Sequence, residues 1–116
     1  MVADGPDVGA ALRTAISSGA ALVVTTGGTG LTPTDRTPEA TAEVVDRSVP
    51  GIAEAIRAVG VAAGIPSAML SRGICGVAAR TLVINLPGSM GGVSNGLEVL
   101  EPVVEHALQQ IKGGDH

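Results

Sequence analysis

Leu22-Val23-Val24-Thr25-Thr26-Gly27-Gly28-Thr29-Gly30-Leu31-Thr32-Pro33-Thr34-Asp35-Arg36-Thr37-Pro38-Glu39-Ala40 is the stretch from which the fold can be read. It opens as a short apolar run with β-branched residues, the pattern of a strand covered on both faces of a parallel sheet. Gly27, Gly28 and Gly30 then break the run. Glycine tolerates positive φ and lets backbone approach a ligand closely. Successive N–H groups in such a turn form a concavity that favours anions. A helix start follows, with Thr37 expected as N-cap, Pro38 in the first turn and Glu39 beside it. The connection from Thr26 to Thr37 is longer than the ~2–6 residues usual between strand and helix. Its excess holds threonines and an acid, not linker filler. Ligands of open α/β sheets bind in the crevice beyond the carboxyl ends of the strands. The stretch therefore reads as half of a phosphate-binding site; a plain tight turn is the simpler alternative.

A second strand, Thr81-Leu82-Val83-Ile84-Asn85-Leu86, also runs into a glycine-rich turn, Pro87-Gly88-Ser89-Met90-Gly91-Gly92, and then a helix. Right-handed crossovers keep the carboxyl ends of parallel strands on one edge. The two loops are thus expected to face each other across one crevice, suited to a polyphosphate or a doubly anionic ligand. Asp35 closes the first loop. Mg2+ takes carboxylate and phosphate oxygens together, so Asp35 is the expected metal ligand, with an Asx cap on the following helix as the alternative. Ser89 offers a hydroxyl donor, or is an ordinary turn serine. Arg36 is the cation nearest to Asp35.

The rest of the chain supplies the frame. Val8, Leu12 and Ile16 give residues 6–18 one apolar helical face, with Pro6 at N1 and Gly19 beyond the end. Helices are also expected over 38–47, carrying Val44 and Val45 inward, and over 51–63 on Ile52, Ile56 and Val59. Residues 67–80, interrupted by Gly73 and Gly76, suggest a short strand at a sheet edge. The last helical segment aligns Leu97, Leu100, Val104, Leu108 and Ile111, and Pro102 predicts a kink or two abutting helices. Glu98, Glu101, Glu105 and Asp115 form its solvated face, and His106 belongs to surface or packing.

The chain has 116 residues, a net charge of −4, and no Phe, Tyr or Trp. That length predicts one domain with a modest aliphatic core. Negative charge and missing aromatics argue against nucleic-acid binding, which uses basic patches and stacking platforms. Cys75 is the one cysteine, so no intrachain disulfide or multi-cysteine zinc site is expected. Without an apolar span of ~18 residues or a charged-then-apolar leader, no membrane contact is expected and the protein reads as cytoplasmic.

Thr26-Gly27-Gly28-Thr29-Gly30, an Asp five residues after the last glycine, and Thr37-Pro38-Glu39-Ala40 together resemble the signature of the MoaB/Mog family. These are molybdenum-cofactor biosynthesis proteins, the molybdopterin adenylyltransferases, to which the G domain of gephyrin is similar. The likeness runs from Val2 to about Lys112. It implies a single domain over residues 1–116 with a three-layer α/β/α fold and a mostly parallel sheet, lacking the family's N-terminal strand–helix–strand segment. A chain shortened in this way is expected to be marginal in stability. The resemblance implies Mg2+-dependent transfer of an adenylyl group from ATP to molybdopterin by a homotrimer. Asp35 would be catalytic and hold the metal. Asp4, otherwise a helix-start acid, would assist. Gly27, Gly28, Thr29 and Gly30 would cradle one phosphate group, and Gly88 and Ser89 the other. Arg36, Arg72 and Arg80 are candidates for the pterin phosphate. The family's second loop reads Pro-Gly-x-Pro; Met90 stands at the second proline, which predicts a looser turn. A non-catalytic molybdopterin-binding scaffold trimer and a related nucleotide pyrophosphatase are the alternatives.

Overall fold

The computed structural model describes residues 2–3 and 7–113. In chain order the elements are β1 (Val2–Ala3), α1 (Val8–Ser17), β2 (Leu22–Thr26), α2 (Thr37–Val44), β3 (Arg47–Ser48) and α3 (Pro50–Ala62). A 3-10 turn (Pro66–Leu70), β4 (Cys75–Ala78), β5 (Thr81–Leu86), α4 (Met90–Leu100) and α5 (Val104–Ile111) complete them. The two apolar runs lie side by side: β2 and β5 pair in parallel, from Leu22 opposite Leu82 to Thr26 opposite Leu86. Five strands form one sheet in the order β1-β2-β5-β4-β3. β1 is parallel to β2, whereas β4 is antiparallel to both β5 and β3. Only β4 therefore runs against the common direction, and the sheet is mostly parallel.

The pleat of β5 sorts the core into two layers. Leu82, Ile84 and Leu86 join a cluster with Ala53 and Ile56 of α3 and Leu100 of α4, covered by half-buried residues of α5. Val83 points the other way, to Val8 and Leu12 of α1 and the half-buried Ala40 and Val44 of α2. All six residues of β5 are buried, and each fully buried aliphatic side chain contributes about 1.5–3 kcal/mol by leaving water. Helices on both faces of a sheet make the three-layer α/β/α architecture. Small aliphatic side chains do this without a single aromatic ring.

Three sequence expectations are corrected. The strand within 67–80 is not at an edge, because β4 pairs on both sides and the edge is β3. Gly76 is there for close approach: a Cβ would run into Val45 and the Arg47 carbonyl. The helix expected over 38–47 ends at Val44, which frees Arg47–Ser48 for β3. Thr37 is not the N-cap; Arg36 occupies that position, with no side-chain cap. Thr37 is instead the first helical residue, and its N–H donates to the Gly28 carbonyl at 3.1 Å. At Pro102 the last segment divides into two helices, α4 and α5.

Candidate functional site

The carboxyl ends of β2 and β5 open into a cleft of about 450 Å³. Gly27 and Gly28 turn the chain out of β2 with φ of 82° and 68°, values in the left-handed region that favour glycine. The Gly27 N–H donates to the Leu86 carbonyl at 3.0 Å, so the first loop starts against the end of β5. The second loop touches it there: a Cβ on Gly88 would lie 3.1 Å from Gly27 Cα. Gly27, Gly28, Thr29, Gly30, Gly88, Ser89 and Asp35 all line this one cleft. Asp4 lies outside the described residues.

Asp35 is half-buried and folds back on its own loop. Its Oδ2 accepts the Thr32 N–H at 3.1 Å and its N–H donates to the Thr32 carbonyl at 3.0 Å. A Cβ on Gly30 would sit 2.8 Å from that carboxylate oxygen. A side chain on Gly30 would therefore displace the Asp35 carboxylate, a different reason for glycine than the positive φ of Gly27 and Gly28.

Behind the loop, Arg72 holds it closed. Its Nε donates to the Gly30 carbonyl at 2.8 Å, Nη2 to the Asp35 carbonyl at 2.7 Å, and Nη1 to Glu39 Oε2 at 2.5 Å. Its main-chain N–H donates to the Thr29 carbonyl at 2.8 Å. The hydrogen bond from Arg72 holds the Glu39 carboxyl below the usual carboxylate value, and the same bond raises Arg72. Arg72 is thus committed to the loop and does not line the cleft. Arg80 lies in the turn between β4 and β5, at the end of β5 away from the cleft. Arg36 is exposed and lines a depression beside α1 and α2.

The second loop is closed by an N-cap. Ser89 is the N-cap of α4, its Oγ accepting the Gly92 N–H at 3.0 Å. A Cβ on Gly92 would meet Pro87 at 2.7 Å. The Ser89 hydroxyl hydrogen is left free to donate. Met90 itself is 92% exposed.

Two features escaped the sequence reading. Asn85, the one amide in β5, is buried and donates to Thr25 Oγ1 at 2.9 Å and Thr41 Oγ1 at 3.0 Å, while its Oδ1 accepts the Ile74 N–H at 3.1 Å. This network ties β2, β5, α2 and the approach to β4 directly beneath the loops. A polar residue inside an apolar strand was its signal. Among the described residues lining the cleft, Asp35 is the one anion and Arg57, on the α3 wall, the one cation. Nothing in its spacing distinguished it.

Fold and site together define an α/β domain with a glycine-lined cleft at the carboxyl ends of its parallel strands β2 and β5. Residues 2–106 match the family described as probable molybdopterin binding domain, and the chain belongs to it. The chain is 47% identical over 116 residues to the molybdenum cofactor biosynthesis bifunctional protein of Synechococcus elongatus, covering 99% of this chain and 36% of that one. It is 40% identical over 92 residues to the molybdopterin adenylyltransferase of Helicobacter pylori, covering 79% of this chain and 52% of that one. It thus spans about a third to a half of these relatives. Among solved structures, the molybdopterin biosynthesis Mog protein of Mycobacterium ulcerans superposes with a TM-score of 0.92 at 55% identity, covering 97% of this chain and 72% of that one.

Proposed function

We propose that this domain acts in molybdenum cofactor biosynthesis, transferring an adenylyl group from ATP to molybdopterin to give adenylyl-molybdopterin and pyrophosphate. The observation that carries the reading is the convergence of two glycine-rich loops on one cleft, with Asp35 the carboxylate that lines it among the described residues. The terminal phosphate of molybdopterin attacks the α-phosphorus of ATP, and the bond to the leaving pyrophosphate breaks. That nucleophile is already anionic, so no strong general base is needed; positioning and charge neutralisation do most of the catalysis.

The donor set fits a magnesium ion that arrives with the substrate. No cluster of three or more His, Cys, Asp or Glu side chains occurs among the described residues, so there is no all-protein cage. Mg2+ bound to nucleotide phosphates needs only one or two carboxylates, and Asp35 would supply one. The ion would offset charge on the phosphate oxygens. Gly28, Thr29 and Gly30 would hold one phosphate group by backbone N–H, with Gly27, whose own N–H is bonded to the Leu86 carbonyl, turning the loop into the cleft, and Gly88 with the Ser89 hydroxyl hydrogen would hold another. Asp4 assists in this proposal.

A homotrimer acting in the cytoplasm on these small molecules, without nucleic acid or membrane, belongs to the same proposal. Among the described residues no helix is long and apolar enough to cross a membrane. Incubation with ATP, Mg2+ and molybdopterin, with product separation, tests the chemistry. Adenylyl-molybdopterin is the expected product. AMP alone would mean a pyrophosphatase, and binding without product a scaffold. Light scattering tests the trimer.

A further inference from the structure

We propose that Arg57 is a specificity-determining residue of the cleft, the cation that receives a phosphate group of the bound ligand. The proposal rests on the phosphate-handling reading above and adds a residue to it. The ion pairs among the described residues are Arg13–Glu43, Arg47–Asp46 and Arg72–Glu39; Arg57 has no carboxylate partner. It is half-buried on the α3 wall beside Ile56 and Gly60. Its Nη1 donates to the Gly73 carbonyl at 2.9 Å and to the Ser71 carbonyl at 3.4 Å. Those two carbonyls fix the guanidinium but occupy one nitrogen. Nε and Nη2 donate to no acceptor among the described residues.

A cation held in place, without a carboxylate partner among the described residues and lining a largely apolar cleft, offers a counter-charge to an anionic ligand. The planar guanidinium fork matches the oxygens of a phosphate in two parallel hydrogen bonds. Ser67 and Ser71 line the same wall and add hydroxyl groups. With a net charge of −4, the protein does not attract anions by its overall field, so a local cation has to discriminate phosphorylated from unphosphorylated ligand. The phosphate belongs either to the nucleotide or to the pterin, and the test separates the two.

Calorimetric titration at fixed salt would compare wild type, Arg57→Gln and Arg57→Lys. The probes are ATP against adenosine, and 6-hydroxymethylpterin phosphate against 6-hydroxymethylpterin. Arg57→Gln is expected to weaken one phosphorylated probe by roughly ten- to a hundredfold and leave its unphosphorylated counterpart unchanged. The probe that loses affinity names the source of the phosphate. Arg57→Lys should restore part of the loss, since the charge returns without the fork; a loss due only to a loosened 71–73 segment would not be restored and would show in a thermal melt. Equal affinity of wild type and Arg57→Gln for both phosphorylated probes overturns the proposal. So does a wild type that binds neither phosphorylated probe more tightly than its counterpart. No turnover is required: absent transfer with Arg57-dependent phosphate binding sinks only the transferase reading, and transfer without that dependence sinks only this one.

Discussion

Asp35 carries the proposed chemistry while contributing little to the fold. Its carboxylate makes a single hydrogen bond, to the Thr32 N–H in an exposed loop, worth about 1 kcal/mol. Asp35→Ala is therefore expected to abolish adenylyl transfer and shift the melting temperature by only a few degrees. Steady-state assays beside a thermal melt check this, and near-normal turnover would remove Asp35 from the mechanism. Asn85 is the reverse case, buried beneath the loops, absent from the cleft lining and central to stability. Replacing it with Val strands the Ile74 N–H and the Thr25 hydroxyl beneath the site, while the Thr41 hydroxyl keeps its bond to the Thr37 carbonyl. Stranding such groups costs roughly 1–3 kcal/mol apiece, so Asn85→Val should lower the urea midpoint clearly, and an unchanged midpoint would show that the network is dispensable. Asp35 was legible in the sequence because an acid in an overlong glycine loop is conspicuous. Asn85 and Arg57 were not, since their partners lie in other elements and no spacing records them.

Arg72 joins the approach to β4 to the loop that precedes α2, and in doing so fixes where Asp35 stands. Truncating it to Ala removes donors from the Gly30 and Asp35 carbonyls and from Glu39. Faster amide exchange across Thr29–Asp35 is expected, with kcat falling more than affinity for ATP, because the loop loses its geometry but keeps its N–H groups. Unchanged exchange in that segment would show that the glycine turn holds itself. The pH dependence follows from Glu39. Its carboxyl titrates below the usual carboxylate value because Arg72 donates to it, so the clasp is intact above the unfolded value. It loosens as pH falls through the folded one, which lies below the ordinary glutamate value. Loop protection from pH 7 to 3, corrected for the intrinsic pH dependence of amide exchange, should fall in that range in wild type, and Glu39→Gln should abolish the step. The strand–loop–helix units of β2 and β5 were readable because their apolar runs and glycines are contiguous. β3 and β4 were misread because two-residue β3 has no pattern of its own, and Gly76 looked like an interruption when it makes room for Val45.

The two loops come from adjacent central strands, so a ligand that bridges them binds the folded sheet and not the open chain. Anything binding only the native state stabilises it by mass action, about 2.7 kcal/mol at a hundredfold excess over Kd. The usual probe of such an effect is missing, since the chain has no Phe, Tyr or Trp. Cys75 takes its place. The lone thiol is 2% exposed, packed in the cluster shared by β4, β5 and α3, and burial pushes it up to about 12. Only the thiolate reacts, so folded protein near pH 7.5 should be almost inert to thiol reagents, and modification should wait on opening of the sheet. Labelling is expected to accelerate with urea in step with unfolding. MgATP at a hundred times its Kd should slow it by about a hundredfold, an effect that Asp35→Ala diminishes if that carboxylate holds the metal. Rapid labelling, indifferent to both urea and nucleotide, would mean that β4 opens without the rest of the sheet. The cleft and the core would then be independent, contrary to the packing of both loops against the ends of β2 and β5.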